Sequence, residues 1–408
     1  MKIIKTLGLC LIYTTQIYSQ NVKGLVDSNN AFAFKLYNEV EKKDSNILFS
    51  PYNVSLALAM TYNGARNVTA QEMCNVLNFS LEKESFNKNF KSLNDKIDSL
   101  GKKNGFDLNL SNSIWIETGF KPLKSFSDII YSQYQAEINL VDYINEIERS
   151  KAVKKINEWV ERKTKDRVKD LLNDGAVNYQ TRLVLISTIY FKSNWAIIFD
   201  RSKTKHEDFY LSASKKEMVD YMNITSQYKY YNDSLLQVIE IPYSGDKVSM
   251  LIFLPKNKED FITMEKQVNS EYYKSIVKSF QSDGYLKQKI QLSLPKFRIS
   301  KTLPLKNVLS TLGMPSAFSK ESADFSGITG NKQLCISGIL QQSFIDVTEE
   351  GTEAAAATAI VDELRKRELK NNPPIIFNVN HTFMFLIKDN LTGSILFMGK
   401  IMNPTNEK

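Results

Sequence analysis

The sequence predicts a mixed α and β (α+β) fold in one large domain with substantial antiparallel sheet, for three reasons. Helical periodicity is concentrated in the first half of the 408 residues, and strand patterns dominate the second half. The two kinds of segment do not alternate regularly, unlike a doubly wound nucleotide-binding fold. No linker rich in Pro, Gly or Ser, no charge block and no internal repeat divides the chain.

Two early segments carry the helical patterns. Val54 to Ala65 follows Phe49-Ser50-Pro51 and is mostly apolar, which predicts a buried helix that begins at a proline. From Ser150 to Leu172, apolar residues recur every three or four positions. This spacing predicts an amphipathic surface helix with a basic outer side.

Strand patterns follow in the second half of the chain. They cover Arg182 to Phe191, Val248 to Leu254, and Ile290 to Leu294, where apolar and polar residues alternate. Near the C-terminus, Thr382 to Ile387 and Ser394 to Ile401 flank a turn that contains Asp389, Asn390 and Gly393. This arrangement predicts a buried hairpin.

The N-terminus resembles a secretory signal peptide. Lys2 and Lys5 precede an apolar run from Thr6 to Tyr13, which is too short to cross a bilayer, and small Ser19 precedes Gln20. We therefore expect residues 1–19 to be removed, leaving residues 20–408 as a secreted, extracellular single domain. The alternative is an ordinary buried N-terminal element. No other stretch is long and apolar enough for a membrane span.

Export bears on the cysteines and on the Asn-X-Ser/Thr triplets. Cys10 leaves with the signal peptide, and the sequence leaves open whether Cys74 and Cys335 pair. Triplets at Asn53 and Asn380 lie in apolar-patterned segments and are poor candidates for glycosylation. The candidate sites are Asn67, Asn78, Asn109, Asn223, Asn232 and Asn390.

The charge and the residue types exclude several function classes. The formal net charge of +8 falls to +6 when Lys2 and Lys5 are removed, and a secreted, mildly basic chain is not expected to bind nucleic acid. Only two histidines exist, and no zinc, nucleophile-elbow or P-loop motif is present. We therefore expect no enzyme activity, no metal and no cofactor.

The segment that stands out runs from Glu349 to Pro374. It reads E-E-G-T-E-A-A-A-A-T-A-I, followed by L-R-K-R and, at its end, two prolines. Residue propensities alone favour an exposed helix here, because Thr352 is a fair N-cap and four alanines follow Glu353.

Several motifs in the same order resemble the serpin family across nearly the whole mature chain. Asn46 to Leu58 reads N-I-L-F-S-P-Y-N-V-S-L-A-L, and Leu183 to Trp195 reads L-V-L-I-S-T-I-Y-F-K-S-N-W. Further matches are Val238 to Pro255, Ala323 to Thr329, and Leu396 to Pro404. The resemblance implies the serpin fold, with helices around a large central sheet, two smaller sheets and an exposed reactive-centre loop.

The resemblance also implies a function for residues 349–373, as the hinge and the reactive-centre loop. In an inhibitory serpin, a serine protease cuts the exposed loop, and the upstream part inserts into the central sheet while the protease is still covalently attached. The small residues of the hinge suit such insertion, since bulky groups would meet a close-packed core. The hinge residues are Glu349, Glu350, Gly351, Thr352, Glu353, Ala354, Ala355, Ala356, Ala357 and Thr358.

The resemblance places the cut sixteen positions after Glu349, at Arg365-Lys366. An arginine at the cut suits trypsin-like proteases with an acidic pocket, and such a protease in covalent complex is the expected partner of a monomeric inhibitor. Lys366 and Arg367 leave two alternatives open, a shifted cut and a convertase that prefers paired basic residues. A non-inhibitory carrier or chaperone is the alternative function.

Two further sets of residues come from the resemblance. The sheet-opening region is expected at Ser50, Ser55, Ser187, Trp195 and Gln341. The chain has Ser187 and Gln341 where many serpins have asparagine and histidine. The usual pair and the pair in this chain can each form hydrogen bonds.

Basic residues lie where some serpins bind heparin, but interspersed acids favour a solvated helix face and only weak glycosaminoglycan binding. They are Lys88, Lys91, Lys96, Lys102 and Lys103.

Overall fold

The computed structural model describes residues 22–40, 45–79, 82–101, 107–173, 175–352 and 373–405. Its helices are α1 (22–40), α2 (Pro51–Gly64), α3 (Asn67–Leu77), α4 (Lys83–Gly101), α5 (Lys124–Tyr134), α6 (Glu146–Lys163), α7 (Phe261–Gln267), α8 (Ser270–Phe280), α9 (Lys306–Thr311) and α10 (Ser326–Thr329). Short 3₁₀ helices cover Arg201–Lys203, Lys258–Asp260 and Pro315–Phe318. Among the described helices, none is long and apolar enough to cross a lipid bilayer.

The strands form two sheets. They are β1 (Ile47–Phe49), β2 (Asp107–Glu117), β3 (Glu137–Val141), β4 (Leu183–Asn194), β5 (Lys205–Tyr210), β6 (Lys216–Asn232), β7 (Leu236–Pro242), β8 (Val248–Pro255), β9 (Gln288–Pro295), β10 (Phe297–Pro304), β11 (Ile336–Val347), β12 (Gly351–Thr352), β13 (Ile375–Asn378), β14 (Phe383–Asp389) and β15 (Ile395–Ile401). The central sheet has six strands in the order β10-β11-β12-β4-β2-β3.

The second sheet has nine strands and accounts for both of the smaller sheets that the sequence implies. Its order is β1-β15-β14-β8-β7-β6-β9-β13, with β5 also paired to β6. The first part of the long strand β6 pairs with β5 and β9, and its last four residues pair with β7. One strand therefore joins the two smaller sheets. The predicted C-terminal hairpin is present as β14 and β15, antiparallel and buried.

Helices cover the two faces of the central sheet. Every residue of α2 is buried, and this helix contacts β4 and β2. Its composition explains this placement, since small and apolar side chains lie on every side of this helix. On the other face, α6 packs Ile156, Trp159 and Val160 with Val184 and Ile186 of β4 in a separate apolar cluster.

The predicted amphipathic helix is α6, but its bounds differ from the expectation. It begins at Glu146 because the Asn145 side chain accepts hydrogen bonds from the backbone N–H groups of Ile147 and Glu148. It ends at Lys163, and residues 165 and 166 have positive φ angles of 51° and 62°, which no α-helix contains. The predicted continuation to Leu172 was therefore wrong.

Candidate functional site

The centre of the site is the boundary between strands β11 and β4. From Ile336 to Phe344, β11 pairs in parallel with residues Leu183 to Tyr190 of β4. Beyond that point, β12 lies between the two strands: Thr352 pairs with Val347 on one side and with Ser193 on the other. One half of this boundary is therefore closed by direct strand pairing, and the other half is occupied by two residues of the predicted hinge.

Backbone hydrogen bonds hold the segment before β12 at the end of the sheet. The N–H of Trp195 donates to the Glu350 carbonyl at 2.8 Å, and the N–H of Phe199 donates to the Glu349 carbonyl at 2.9 Å. The Trp195 indole N–H donates to the Thr348 carbonyl at 2.9 Å. Trp195 thus contacts the hinge through both its backbone and its side chain.

Thr352 is fully buried, and its hydroxyl has a specific partner. The Thr352 Oγ1 atom lies 2.7 Å from the hydroxyl of Tyr243. The Tyr243 ring stacks on the Trp195 ring with centroids 4.4 Å apart and planes 14° apart. Tyr243 lies within the matching segment Val238 to Pro255, but its pairing with Thr352 was not foreseen, because contact between residues 109 positions apart depends on the fold.

Glycine is required at position 351 for steric reasons. Its φ of +150° is rare for side-chain-bearing residues, and a Cβ atom there would collide with the Ser193 carbonyl oxygen and lie 2.5 Å from the Asn194 Cα. Without a side chain, the backbone of Gly351 can lie directly against β4.

Two glutamates precede Gly351 and both form ion pairs. The Glu349 carboxylate lies 3.2 Å from the Lys296 ammonium and accepts a 2.7 Å hydrogen bond from the Thr204 hydroxyl. Burial alone would raise the pKa of Glu349, but Thr204, the backbone N–H and Lys296 outweigh it and hold the pKa below its usual range. Glu350 pairs with Arg201. The hinge is therefore anchored by charge as well as by backbone contacts.

In the closed half, the sequence-predicted residues Gln341, Ser50 and Ser187 come together. The Gln341 side-chain oxygen accepts from the Ser50 N–H and its nitrogen donates to the Ser50 carbonyl, both at 2.8 Å. The contact from Gln341 to the Ser187 hydroxyl is weaker, at 3.5 Å. Gln341 thus binds the start of α2 more firmly than it binds the neighbouring strand.

The remaining residue of that predicted set, Ser55, lies elsewhere: its hydroxyl donates to Asn29 of α1 at 2.6 Å. Two residues outside that predicted set complete the closed half. The Asn53 amide donates to the Thr188 carbonyl at 2.8 Å, and Asn112 donates to Asn53 at 2.6 Å. The sequence analysis rated the triplet at Asn53 a poor glycosylation candidate, and this side chain is fully buried.

The rest of the predicted site lies outside the described residues. This applies to the hinge residues Glu353, Ala354, Ala355, Ala356, Ala357 and Thr358, to the bond Arg365-Lys366, and to Lys102 and Lys103. The chain is described again from residue 373 and pairs as β13 with β9 of the other sheet. Both ends of the predicted loop are thus fixed to strands.

The candidate glycosylation sites differ in their surroundings. Asn232 is exposed at the end of β6. The amide nitrogen of Asn67 donates to the Asp324 carboxylate, and the amide oxygen of Asn78 accepts from Lys35. The side-chain amide nitrogens of Asn109, Asn223 and Asn390 donate to backbone carbonyls of other residues. Of the candidate sites, these surroundings favour Asn232 for glycosylation.

Other predicted features involve α4 and the cysteines. Lys88 and Lys91 of α4 each lie 2.7 Å from an acid on the same helix, Glu84 and Asp95, and Lys96 lies on the same helix. These pairs reduce the positive potential that an acidic polysaccharide would meet. Cys74 and Cys335 are both free thiols.

Comparisons with known proteins agree with this architecture. The profile of the family Serpin (serine protease inhibitor) matches residues 27–404. A leukocyte elastase inhibitor of Xenopus tropicalis is 36% identical over 382 residues, covering 91% of this chain and 97% of that protein. The structure of Serpin48 from the insect Tenebrio molitor has a TM-score of 0.79 and 34% identity, covering 94% of this chain and 98% of its own.

A relative with a different activity matches equally well. Human thyroxine-binding globulin has a TM-score of 0.83 and 32% identity, covering 95% of this chain and all of its own. Similarity of fold therefore does not separate inhibitors from carriers, although most of the family inhibits proteases and is not enzymatic. From the profile match over nearly the whole chain and the agreement of the folds, this chain belongs to the serpin family.

Proposed function

We propose that this protein is a secreted inhibitor that traps trypsin-like serine proteases through cleavage of Arg365-Lys366 and insertion of the loop into the central sheet. The observation that supports this proposal most is β12, two hinge residues already hydrogen-bonded between β11 and β4. An added strand extends naturally from this start, because each further residue can pair with both neighbours.

The proposed reaction begins with the protease. Its serine hydroxyl oxygen attacks the Arg365 carbonyl carbon, the Arg365–Lys366 amide bond breaks, and Lys366 leaves as an amine after receiving a proton. The resulting ester keeps the protease attached. The 14 residues from Thr352 to Arg365 span about 45 Å as a strand, so complete insertion carries the protease along the whole sheet.

Mixing the mature protein with trypsin tests this proposal. We expect a covalent complex that survives denaturant, and we expect Arg365→Ala to abolish it without unfolding the protein, since exposed substitutions rarely cost more than about 0.5 kcal/mol. Lys366→Ala and Arg367→Ala serve as matched controls. If Arg365→Ala still inhibits and one of these controls does not, the cut lies at that residue. Complete absence of a complex would contradict the proposal.

A carrier or chaperone function is the second candidate, supported by the match to thyroxine-binding globulin. The hinge sequence favours inhibition, since Ala354 to Ala357 are small enough to enter a packed sheet. The trypsin experiment separates the two, because a carrier leaves the protease active and forms no ester.

Export is part of the proposal, with cleavage after Ser19 and glycosylation first of all at Asn232. N-terminal sequencing of the protein from the medium of secreting eukaryotic cells should give Gln20 as the first residue. Retention in the cells with residues 1–19 intact would contradict the proposed export.

Heparin should accelerate protease inhibition only weakly. A large, salt-sensitive acceleration that is lost on neutralising Lys102 and Lys103 would contradict the proposal of weak glycosaminoglycan binding.

A further inference from the structure

We propose that Lys83 is a modification site at which dissolved carbon dioxide forms a carbamate, and that Arg66 is the cation that pairs with this carbamate. The site lies at the C-terminal end of α2, where both side chains meet the carbonyl groups of Asn63 and Ala65. The N-cap at the opposite end of α2 contacts Gln341, and the 14 residues of the helix place its two ends about 20 Å apart. The site is therefore separate from the hinge, and this inference goes beyond the proposed inhibition.

Two cations share the same backbone oxygens at this site. The Arg66 nitrogen Nη1 donates to the Ala65 carbonyl at 2.8 Å and to the Asn63 carbonyl at 2.9 Å. The Lys83 ammonium donates to the Ala65 carbonyl at 2.8 Å and lies 3.5 Å from the Asn63 carbonyl. Since both nitrogens lie 2.8 Å from one oxygen atom, they cannot be farther apart than twice that distance. The fold thus holds two like charges close together, and they repel each other.

No acid compensates this pair of cations. Among the residues that the structure describes, no carboxylate forms an ion pair with Lys83 or with Arg66. By contrast, Lys88 and Lys91, on the same helix as Lys83, each pair with an acid. The two positive charges are offset only by the partial negative charge of the carbonyls at the end of α2. A negative group attached to Lys83 would therefore remove the repulsion.

The surroundings of Lys83 also favour its neutral, nucleophilic form. Burial, and after it the charge of Arg66, lower the pKa of Lys83 to about 8. At about pH 7.4, roughly one Lys83 side chain in five is then unprotonated, against roughly one in a thousand for an ordinary lysine. The Tyr62 ring, whose centroid lies 4.7 Å from the Lys83 nitrogen, covers one side of the amine. An unprotonated amine has the lone pair that attacks an electrophilic carbon.

The proposed reaction is reversible and consumes only carbon dioxide. The lone pair of the Lys83 nitrogen forms a bond to the carbon of CO₂, one carbon–oxygen π pair moves onto an oxygen atom, and one N–H proton passes to water. The carbamate keeps one N–H, which continues to donate to the Ala65 carbonyl. Its carboxylate carries a negative charge beside the Arg66 guanidinium. The repulsion between two cations is thereby replaced by the attraction of an ion pair.

Chemical trapping tests the modification. The whole protein is equilibrated with ¹³C-labelled carbon dioxide and treated with triethyloxonium, which converts carbamates into stable esters, and its peptides are then analysed by mass spectrometry. We expect the label on Lys83. Lys88 and Lys91 are the matched controls and should stay unlabelled, because each is exposed and paired with an acid on the same helix. Equal labelling of all three lysines, or no label on Lys83, would overturn the proposal.

Two substitutions test the role of Arg66. Arg66→Gln removes the cation that lowers the pKa of Lys83 and pairs with the carbamate, and it should reduce the trapped fraction roughly fivefold or more. Arg66→Lys keeps the positive charge and should retain most of the trapping. Because Arg66 is exposed, both variants should fold, which equal Tm values for the uncut proteins verify. Undiminished trapping in Arg66→Gln would show that Arg66 is not the partner of the carbamate.

Discussion

The two halves of the boundary between β11 and β4 differ in what holds them. In the closed half, eight residues of β4, Leu183 to Tyr190, pair directly with β11, and Gln341 ties β11 to the start of α2 through two 2.8 Å hydrogen bonds. In the open half, β12 separates the strands, and Trp195, Tyr243 and two ion pairs fix the hinge. The closed half resists separation, whereas the open half already accommodates an added strand.

For the proposed inhibitory mechanism, this difference indicates where loop insertion would begin and what would limit it. The residues of the open half bind the hinge itself, so substitutions there should act on entry of the loop. The residues of the closed half bind strands and helices that must separate later, so substitutions there should act on the stability of the uncut protein. The four predictions below test this division.

The largest effect is expected for Thr352→Arg. Thr352 is fully buried, and an unpaired charge there costs several kcal/mol, so the hinge should leave its place between the strands. The variant should still be cut after Arg365 but should release active trypsin, as shown by residual protease activity after mixing. Thr352→Ser keeps the hydroxyl and should inhibit normally. Equal inhibition by the arginine variant would show that this position does not control entry.

Next in size is Gln341→Leu in the closed half. The substitution leaves the buried Ser50 N–H without its partner and should lower the free energy of unfolding by about 2–3 kcal/mol. Urea denaturation of the uncut protein measures it. Gln342→Leu is the matched control on the opposite face and should cost less, because Gln342 bonds the side chains of Ser300 and Thr302. A smaller loss for Gln341→Leu than for this control would contradict the assignment.

A more modest effect is expected for Tyr243→Phe in the open half. The ring stacking on Trp195 is retained, and only the hydroxyl contact to Thr352 is lost, which should cost about 1 kcal/mol. Hydrogen exchange of the Thr352 N–H should accelerate, while exchange in the closed half from Ile339 to Gln341 should stay unchanged. Acceleration in both halves would show that they open as one unit.

The smallest effect concerns pH. The pKa of Glu349 is lowered in the folded protein, so its contribution to stability is present above the unfolded-state pKa and is lost as the pH falls through the lowered folded-state pKa. The Tm difference between wild type and Glu349→Gln should therefore be largest near pH 7, at roughly 2 °C or less, and should vanish in acid. A difference that grows on acidification would have the wrong sign.

The family and most strand positions could be predicted from the sequence, because these depend on ordered motifs and local patterns; the location of the hinge stays a prediction. Contacts such as Tyr243 with Thr352, or Glu349 with Lys296 and Thr204, depend on how distant strands are placed and carry no local signal. The helix prediction failed at Leu172 because apolar spacing continues past Lys163, where the backbone turns. Residue propensity alone favours a helix after Thr352 as its N-cap; Gly351 and Thr352 form a strand, and the alanines that follow lie outside the described residues.

Thermal unfolding before and after cleavage measures most directly whether the loop inserts into the central sheet. Cutting the wild-type chain after Arg365 should raise the Tm by about 10 °C or more, because the inserted residues bury apolar surface and complete the hydrogen bonding of β11 and β4. Thr352→Arg, cut at the same bond, should show little of this rise. An unchanged or lower Tm for the cut wild-type protein would mean that the loop does not insert, and would contradict the account.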